Sequence, residues 1–404
     1  MLDKKETYKV NALITKECEN RDVFIFGFGV AGKWLSSNGN FKVLGFIDNN
    51  LKKNGQTFET YKVYSPEEAK NFIKPTDIIV NTVLDIQDTI PIIDSLFPDN
   101  QSIALGELLN DQNVDINKTE VSDEFIEYTL KAVEMCHKSF ANKERDFIHS
   151  LDVVISEKCS LNCKDCSNLM QYYTAPENLN YDGIISDFEK LTAKIKHVYE
   201  IRLIGGEPFM NKAIYSIIDY FIESPSITKL VVYTNATIPL KPELMKKFST
   251  PKLVFSITDY GALSKNTKKV TDKLDDLAIA YRCLPPSNWT DSGRIMPDLK
   301  RSEESMIDIF ERCCGKNLYT LMYDKLYRCP FSANAERIKG IPSSEENSVS
   351  VDASLTEIDN YINNVKYIPA CNFCNGRSHD APEIIPAIQA KTKLPYKIYD
   401  IKPV

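Results

Sequence analysis

A chain of 404 residues, 43 % apolar and 26 % charged, exceeds what one hydrophobic core organises and is too apolar for a disordered protein, so two or three domains are expected. A net charge of −7 without a long basic run argues against nucleic acid or an anionic membrane as partner. The charged start MLDKKETYKV lacks a signal-peptide core and no run of about 18 apolar residues occurs; the expected location is cytoplasmic, where cysteines stay reduced and read as metal ligands, reactive thiols or core filler.

From Asp22 the sequence reads strand, glycine turn, helix, strand, helix, strand (DVFIFGFGVAGKWL, FKVLGFIDNN, YSPEEAKNF, DIIVNTV). Ser65, Pro66 and Glu68 form a helix start with an N-cap hydroxyl, proline at the first helical position and a capping-box carboxylate. Residues 1–118 are therefore expected to form a small doubly wound, Rossmann-like domain. Gly27, Gly29 and Gly32 match G-x-G-x-x-G between strand and helix, with Asp48 ending the next strand. Residues 119–150 read as a polar helical connector.

From Leu151 the alternation restarts. LDVVIS, EIRLIG, ITKLVVYTN, PKLVFSIT and IAYRCLP are strand-like, with amphipathic stretches such as GIISDFEKLTAKIKHV between them. Repeated βα units over residues 151–300 predict a parallel sheet, closed or partly closed into a barrel, with its site at the carboxyl ends of the strands. The loop after the first strand carries Cys159, Cys163 and Cys166, which is neither ferredoxin nor zinc-ribbon spacing. The second strand ends in Gly205, Gly206, Glu207 and Pro208. Residues 301–404 read as a helix, the hairpin LYTLMYDKLYRCP, a Ser/Glu-rich loop and a cysteine-bearing tail, forming a third module.

The three cysteines followed by GGEP resemble the radical S-adenosylmethionine (SAM) superfamily. The resemblance covers residues 151–380 and implies an α/β fold: a partial (β/α)6 TIM-like barrel with an amino-terminal Rossmann-like domain and a small carboxyl-terminal iron–sulfur module. It implies that Cys159, Cys163 and Cys166 hold a [4Fe-4S] cluster whose open iron takes SAM, and that Gly205, Gly206, Glu207 and Pro208 meet the methionine amino group. The strand ends VVYTNA and VFSITDYG make Thr234, Asn235 and Ser256 candidate SAM contacts, with strand-end capping as the alternative. Where many members carry an aromatic residue before the third cysteine, this chain has Asp165. Cys313, Cys314, Cys329, Cys371 and Cys374 resemble a Twitch or SPASM-like extension, which implies a second, auxiliary [4Fe-4S] cluster on Cys329, Cys371, Cys374 and either Cys313 or Cys314. The same ligand set suits a four-cysteine zinc site. Cys283, ending the fifth strand, reads as core filler or as a hydrogen-atom donor.

The first 118 residues also resemble the nucleotide-sugar-binding domain of certain sugar N-acyltransferases, so Gly27, Gly29, Gly32 and Asp48 are candidate contacts to a nucleotide or nucleotide sugar. A degenerate fold used for packing is the alternative, and NAD comes third. The resulting expectation is an enzyme that generates a 5'-deoxyadenosyl radical and dehydrogenates or epimerises a sugar or nucleotide sugar in polysaccharide biosynthesis. An external electron donor such as flavodoxin or ferredoxin would feed it. Modification of a ribosomally made peptide and a non-catalytic iron–sulfur scaffold are the rival expectations.

Overall fold

A computed structural model describes residues 9–10, 18–84, 86–110, 123–142, 147–250, 252–286, 288–378 and 381–399. The chain divides into two compact units, Met1–Arg145 and Asp146–Val404.

In the amino-terminal unit, β1 (Asp22–Phe26), β2 (Lys42–Ile47), β3 (Tyr61–Tyr64), β4 (Ile78–Asn81) and β5 (Gln101–Ala104) form a parallel sheet in the order β3-β2-β1-β4-β5. A two-residue strand, Thr57–Phe58, pairs antiparallel at the β3 edge. The order reverses on either side of β1, the topological switch point at which open α/β sheets present a crevice. Ser65 caps the helical turn Pro66–Ala69 by accepting from the Glu68 amide, as its sequence predicts, while the Glu68 carboxylate, expected to complete a capping box, lies 3.6 Å from Lys62 Nζ.

The stretch read as a connector is the helix Asp123–Ala141. Ile126, Leu130 and Val133 recur at helical spacing and join Trp34, Leu35 and Phe46 in the core of this unit. His137 fastens the helix: its Nδ1 accepts from the Gly106 amide at 3.0 Å, and its Nε2 lies 2.8 Å from the Val83 carbonyl. Burial lowers the His137 pKa to about 4, so the neutral ring that this pairing requires is the stable one.

The carboxyl-terminal unit is built on parallel strands β6 (Phe147–Ser156), β7 (His197–Gly205), β8 (Ile227–Thr234), β9 (Leu253–Thr258) and β10 (Ala280–Leu284), lying side by side in chain order. The hairpin expected to belong to a third module extends this sheet. Tyr319–Met322 pairs parallel with β6 through Tyr319 opposite Leu151, and Lys325–Tyr327 and Ser348–Ser350 follow antiparallel. Among the described residues the sheet keeps two edges and does not close.

Alternation gives this sheet two faces. Ile201, Leu203, Val232, Phe255 and Ile257 pack against the helices Tyr181–Thr192, Ile214–Glu223 and Thr267–Asp276 through Phe188, Phe221 and Leu274. The opposite face carries Asp152, Glu200, Arg202, Tyr233, Ser256 and Arg282. Among the described residues, no helix is long and apolar enough to cross a membrane.

Candidate functional site

β6 ends at Ser156, and the loop carrying Cys159, Cys163 and Cys166 follows at once. The ends of two neighbouring strands grip that loop. Gly206 donates its amide to the Ser156 carbonyl and Glu207 to the Lys158 carbonyl, each at 2.8 Å, while Asn168 Nδ2 reaches the Gly205 carbonyl at 2.8 Å. The approach demands glycine. Gly205 has φ +143°, and a Cβ on it would lie 2.1 Å from the Ser156 carbonyl oxygen; one on Gly206 would lie 2.3 Å from that of Lys158.

Glu207 is fully buried and ties this arrangement to the third strand. Its carboxylate accepts from Thr234 Oγ1 at 2.9 Å, from the Asn235 amide at 2.8 Å and from the Phe209 amide at 3.2 Å. Burial raises its pKa to about 7 against these donors. The Thr234 hydroxyl is therefore spent on structure. Asn235 turns its Nδ2 to Cys159 Sγ at 3.8 Å and to Ser160 Oγ at 3.3 Å. Ser256 accepts from Arg282 Nε at 3.0 Å.

Burial pushes the Cys159 thiol up to about 12 and the Cys163 thiol up to about 11, and it raises Cys166 as well. Each thiol lies close enough to another of the three for its charge to act on it. So placed, the three sulfurs stay neutral thiols unless a bound metal inverts the preference by deprotonating its ligands.

No protein-family model matches the chain. The GTP 3',8-cyclase of Syntrophomonas wolfei subsp. wolfei is 26 % identical over 102 residues, which are 24 % of this chain and 30 % of the cyclase. The match therefore spans less than a third of that relative's length. The chain resembles the radical SAM superfamily in its three-cysteine loop and its GGEP turn.

Solved structures similar to it include BtrN in complex with AdoMet and 2-DOIA, at 16 % identity over 54 % of this chain and 83 % of that one, with a TM-score of 0.37. The tagged anSMEcpe with bound AdoMet is 11 % identical over 55 % of this chain and 82 % of that one, also at 0.37. UDP-D-quinovosamine 4-dehydrogenase from Vibrio fischeri is 26 % identical over 21 % of this chain and 76 % of that one, at a TM-score of 0.19.

Around the three-cysteine loop lie Gln389, Ala390, Lys393 and Tyr260, which the sequence did not single out. Gln389 Nε2 donates to Cys163 Sγ at 3.2 Å, and its Oε1 accepts from the Asn162 amide at 2.8 Å. Ala390 and Lys393 continue this strap, the first exchanging hydrogen bonds with Asn162 and the second donating to the Met170 carbonyl. Asp165 is buried and paired with Arg294 Nε at 2.9 Å, so it offers no aromatic surface. An aromatic residue does stand nearby: Tyr260, just past β9, lies within electrostatic range of all three thiols and meets Trp289 edge-on at 6.2 Å. Cys283 pairs in register with Ile257 and packs against the helix-facing apolar layer, opposite to the face that carries Ser256 and Arg282. Strand alternation thus turns it away from the polar face.

The remaining cysteines come from separate elements. Cys313, Cys329, Cys371 and Cys374 line one pocket together with Ile309, Phe310, Phe331 and Ile368. Burial is the first cause that raises the thiols of Cys329, Cys371 and Cys374, with Cys371 reaching about 12, and the charge of Cys313 acts on all three. Cys314 is exposed and absent from that lining, which separates it from Cys313. Among the described residues, no three His, Cys, Asp or Glu side chains converge on a point that would hold a single ion.

In the amino-terminal unit the glycine turn is formed as its spacing predicts. Gly27 has φ +111°, and a Cβ on Gly32 would lie 2.1 Å from the Gly27 carbonyl oxygen, whereas one on Gly29 meets nothing within 4 Å. Asp48 is not idle at its strand end: it accepts from the Phe28 amide at 2.8 Å and the Asn50 amide at 2.9 Å, and it pairs with Lys53 at 2.8 Å.

Proposed function

We propose that this protein is a radical SAM enzyme that removes a hydrogen atom from a sugar or nucleotide sugar and dehydrogenates it. The observation that carries the reading is the junction of two strand ends, where Gly205–Glu207 closes on the loop holding Cys159, Cys163 and Cys166. The donor set fits an iron–sulfur cluster: three thiols on one short loop, and four around a cavity with apolar walls.

In this reading Cys159, Cys163 and Cys166 hold the cluster that takes SAM, and Cys313, Cys329, Cys371 and Cys374 hold the auxiliary one. When bound, SAM and the first cluster supply a 5'-deoxyadenosyl radical that abstracts a hydrogen atom, and the second supplies an acceptor for the electron that the substrate then gives up. The chain's own residues orient and shield. Glu207, held by Thr234 and Asn235, fixes the glycine loop against which the methionine group would lie. Gln389 and Asn235 donate to the sulfurs of Cys163 and Cys159, which steadies the loop and tunes what it binds.

The sugar assignment rests on the amino-terminal unit, whose open Gly29 face at a helix start suits a diphosphate. The electron enters from an external donor such as flavodoxin or ferredoxin. Anaerobic reduction with SAM and a panel of nucleotide sugars, read by mass spectrometry for 5'-deoxyadenosine and for a product two mass units lighter, tests the proposal. Failure to form 5'-deoxyadenosine under any condition would remove it.

A further inference from the structure

After Glu383 the chain runs as a strap along the three-cysteine loop, and its charge is of one sign. Residues 384–399 carry Lys391, Lys393 and Lys397 and no Asp or Glu, in a chain whose net charge is −7. Backbone hydrogen bonds fix the strap: the Lys164 amide donates to the Ile388 carbonyl and the Ala390 amide to the Asn162 carbonyl, each at 2.7 Å, with Cys163 opposite Gln389 in an antiparallel bridge. Side chains alternate across such a pairing. Gln389 turns toward Cys163 Sγ, so the next pair, Lys164 and Ile388, points the other way, and both side chains are exposed.

The outer surface here is basic and apolar together. Ile385 is 70 % exposed and Ile388 46 %, and Lys391 and Lys393 are exposed beside them. Lys393 donates to Asn162 Oδ1 at 3.1 Å and to the Met170 carbonyl at 2.8 Å, which holds its charge against the loop. The loop's own carboxylates do not offset these lysines at the surface, because Glu157 and Asp165 are buried and paired with Arg337 at 2.6 Å and Arg294 at 2.9 Å. Lys397 adds less. It acts on the Asp298 carboxyl, which the Lys300 amide and Asn372 already hold below the usual carboxylate range.

Apolar side chains left in water beside like charges suit an oppositely charged protein partner. Position says which. Lys164 is joined by one peptide bond to Cys163, and Gln389 reaches the same sulfur at 3.2 Å, so a partner seated here stands directly outside a cluster ligand. Electron-transfer contacts are small, weak and steered by charge, and they need the donor's redox group near the acceptor. A flavin's benzenoid edge is apolar and complements two exposed isoleucines, whereas a ferredoxin would be met by the lysines alone.

We infer that Lys164, Ile385, Ile388 and Lys391 form the docking surface for the electron donor, an acidic flavodoxin. The anionic flavin hydroquinone gives one electron and becomes the neutral semiquinone, the cluster on Cys159, Cys163 and Cys166 is reduced by that electron, and no proton moves. This rests on the radical SAM reading and names its reductant.

The test mixes reconstituted full-length protein anaerobically with a flavodoxin held as hydroquinone and follows reduction by stopped flow. The rate should fall as salt rises. Lys391→Glu should slow it by about tenfold and flatten its salt dependence, Lys391→Arg should preserve it, and Ile388→Ser should slow it at every salt concentration. Reduction by dithionite, too small to need a docking surface, should stay within about twofold of wild type in all three. No reduction by flavodoxin, a rate indifferent to salt, an unchanged rate in both Lys391→Glu and Ile388→Ser, or an equal slowing with dithionite would overturn the inference. A ferredoxin that reduces the protein faster than flavodoxin and ignores Ile388→Ser would do the same. Formation of 5'-deoxyadenosine, assayed separately with dithionite, keeps the two readings apart. Cleavage with flavodoxin reduction indifferent to both variants overturns only the docking surface, and variant-sensitive reduction without cleavage by either reductant overturns only the enzyme assignment.

Discussion

The two cysteine groups are built on opposite plans. Cys159, Cys163 and Cys166 sit within one loop, and their hydrogen-bond partners Asn235 and Gln389 approach from outside it. Cys313, Cys329, Cys371 and Cys374 come from a helix end, a hairpin end and a tail turn, and they meet around a cavity walled by Phe310, Phe331 and Ile368. A loop can supply three ligands cheaply, because little chain entropy is lost over so short a span, and it leaves one side of the bound group accessible. Four ligands from distant elements require the fold to be complete, and they leave no open position. The first plan suits chemistry, and the second suits electron transfer or structure.

The largest effect that would break this comparison comes from the trio. Changing Cys159, Cys163 and Cys166 together to Ala should lower iron from about eight to about four per chain and abolish SAM cleavage, measured by iron assay and 5'-deoxyadenosine formation. A wild type holding about four irons and one zinc would instead make the quartet a zinc site. Within the quartet, Cys313→Ala should release the auxiliary cluster while Cys314→Ala leaves the iron content unchanged, because only Cys313 faces the cavity. Equal losses would erase the distinction. Smaller still is the effect of the strap between the strands. Glu207→Gln places an amide N–H₂ among N–H and O–H donors and should cost about 1–3 kcal/mol, read as a lowered melting temperature; Thr234→Val should cost about 1 kcal/mol. Cys283→Ala should change neither deoxyadenosine yield nor product, since the side chain faces the helices. Loss of solvent deuterium from the product on that change would restore it as a hydrogen donor and favour epimerisation.

The trio and GGEP were legible because each is contiguous, and the βα alternation placed both on successive strand ends. Cys313 and Cys314 were indistinguishable because adjacency says nothing about which thiol a helix end turns inward. The helix 123–141 reads as polar on composition, yet its stripe of Ile126, Leu130 and Val133 was the available signal that it packs. Gln389 could not be found from sequence at all, since it lies far from Cys163 along the chain and no motif marks it. The two faces of the sheet were implicit in strand alternation, but only the register puts Arg282 beside Ser256 and Cys283 beside Ile257.

The strap through Gln389 has a consequence for biosynthesis. Cys163 and its hydrogen-bond donor are separated by 226 residues, so at about 5–20 residues per second the donor is translated roughly 10–45 s after the thiol that it serves. During that interval the three-cysteine loop can be exposed to water and oxidants with its GGEP neighbour already made but its clamp still unwritten. Until translation has passed residue 389, the group that donates to Cys163 Sγ is not yet part of the chain, so the loop's full set of hydrogen bonds is available only late in synthesis.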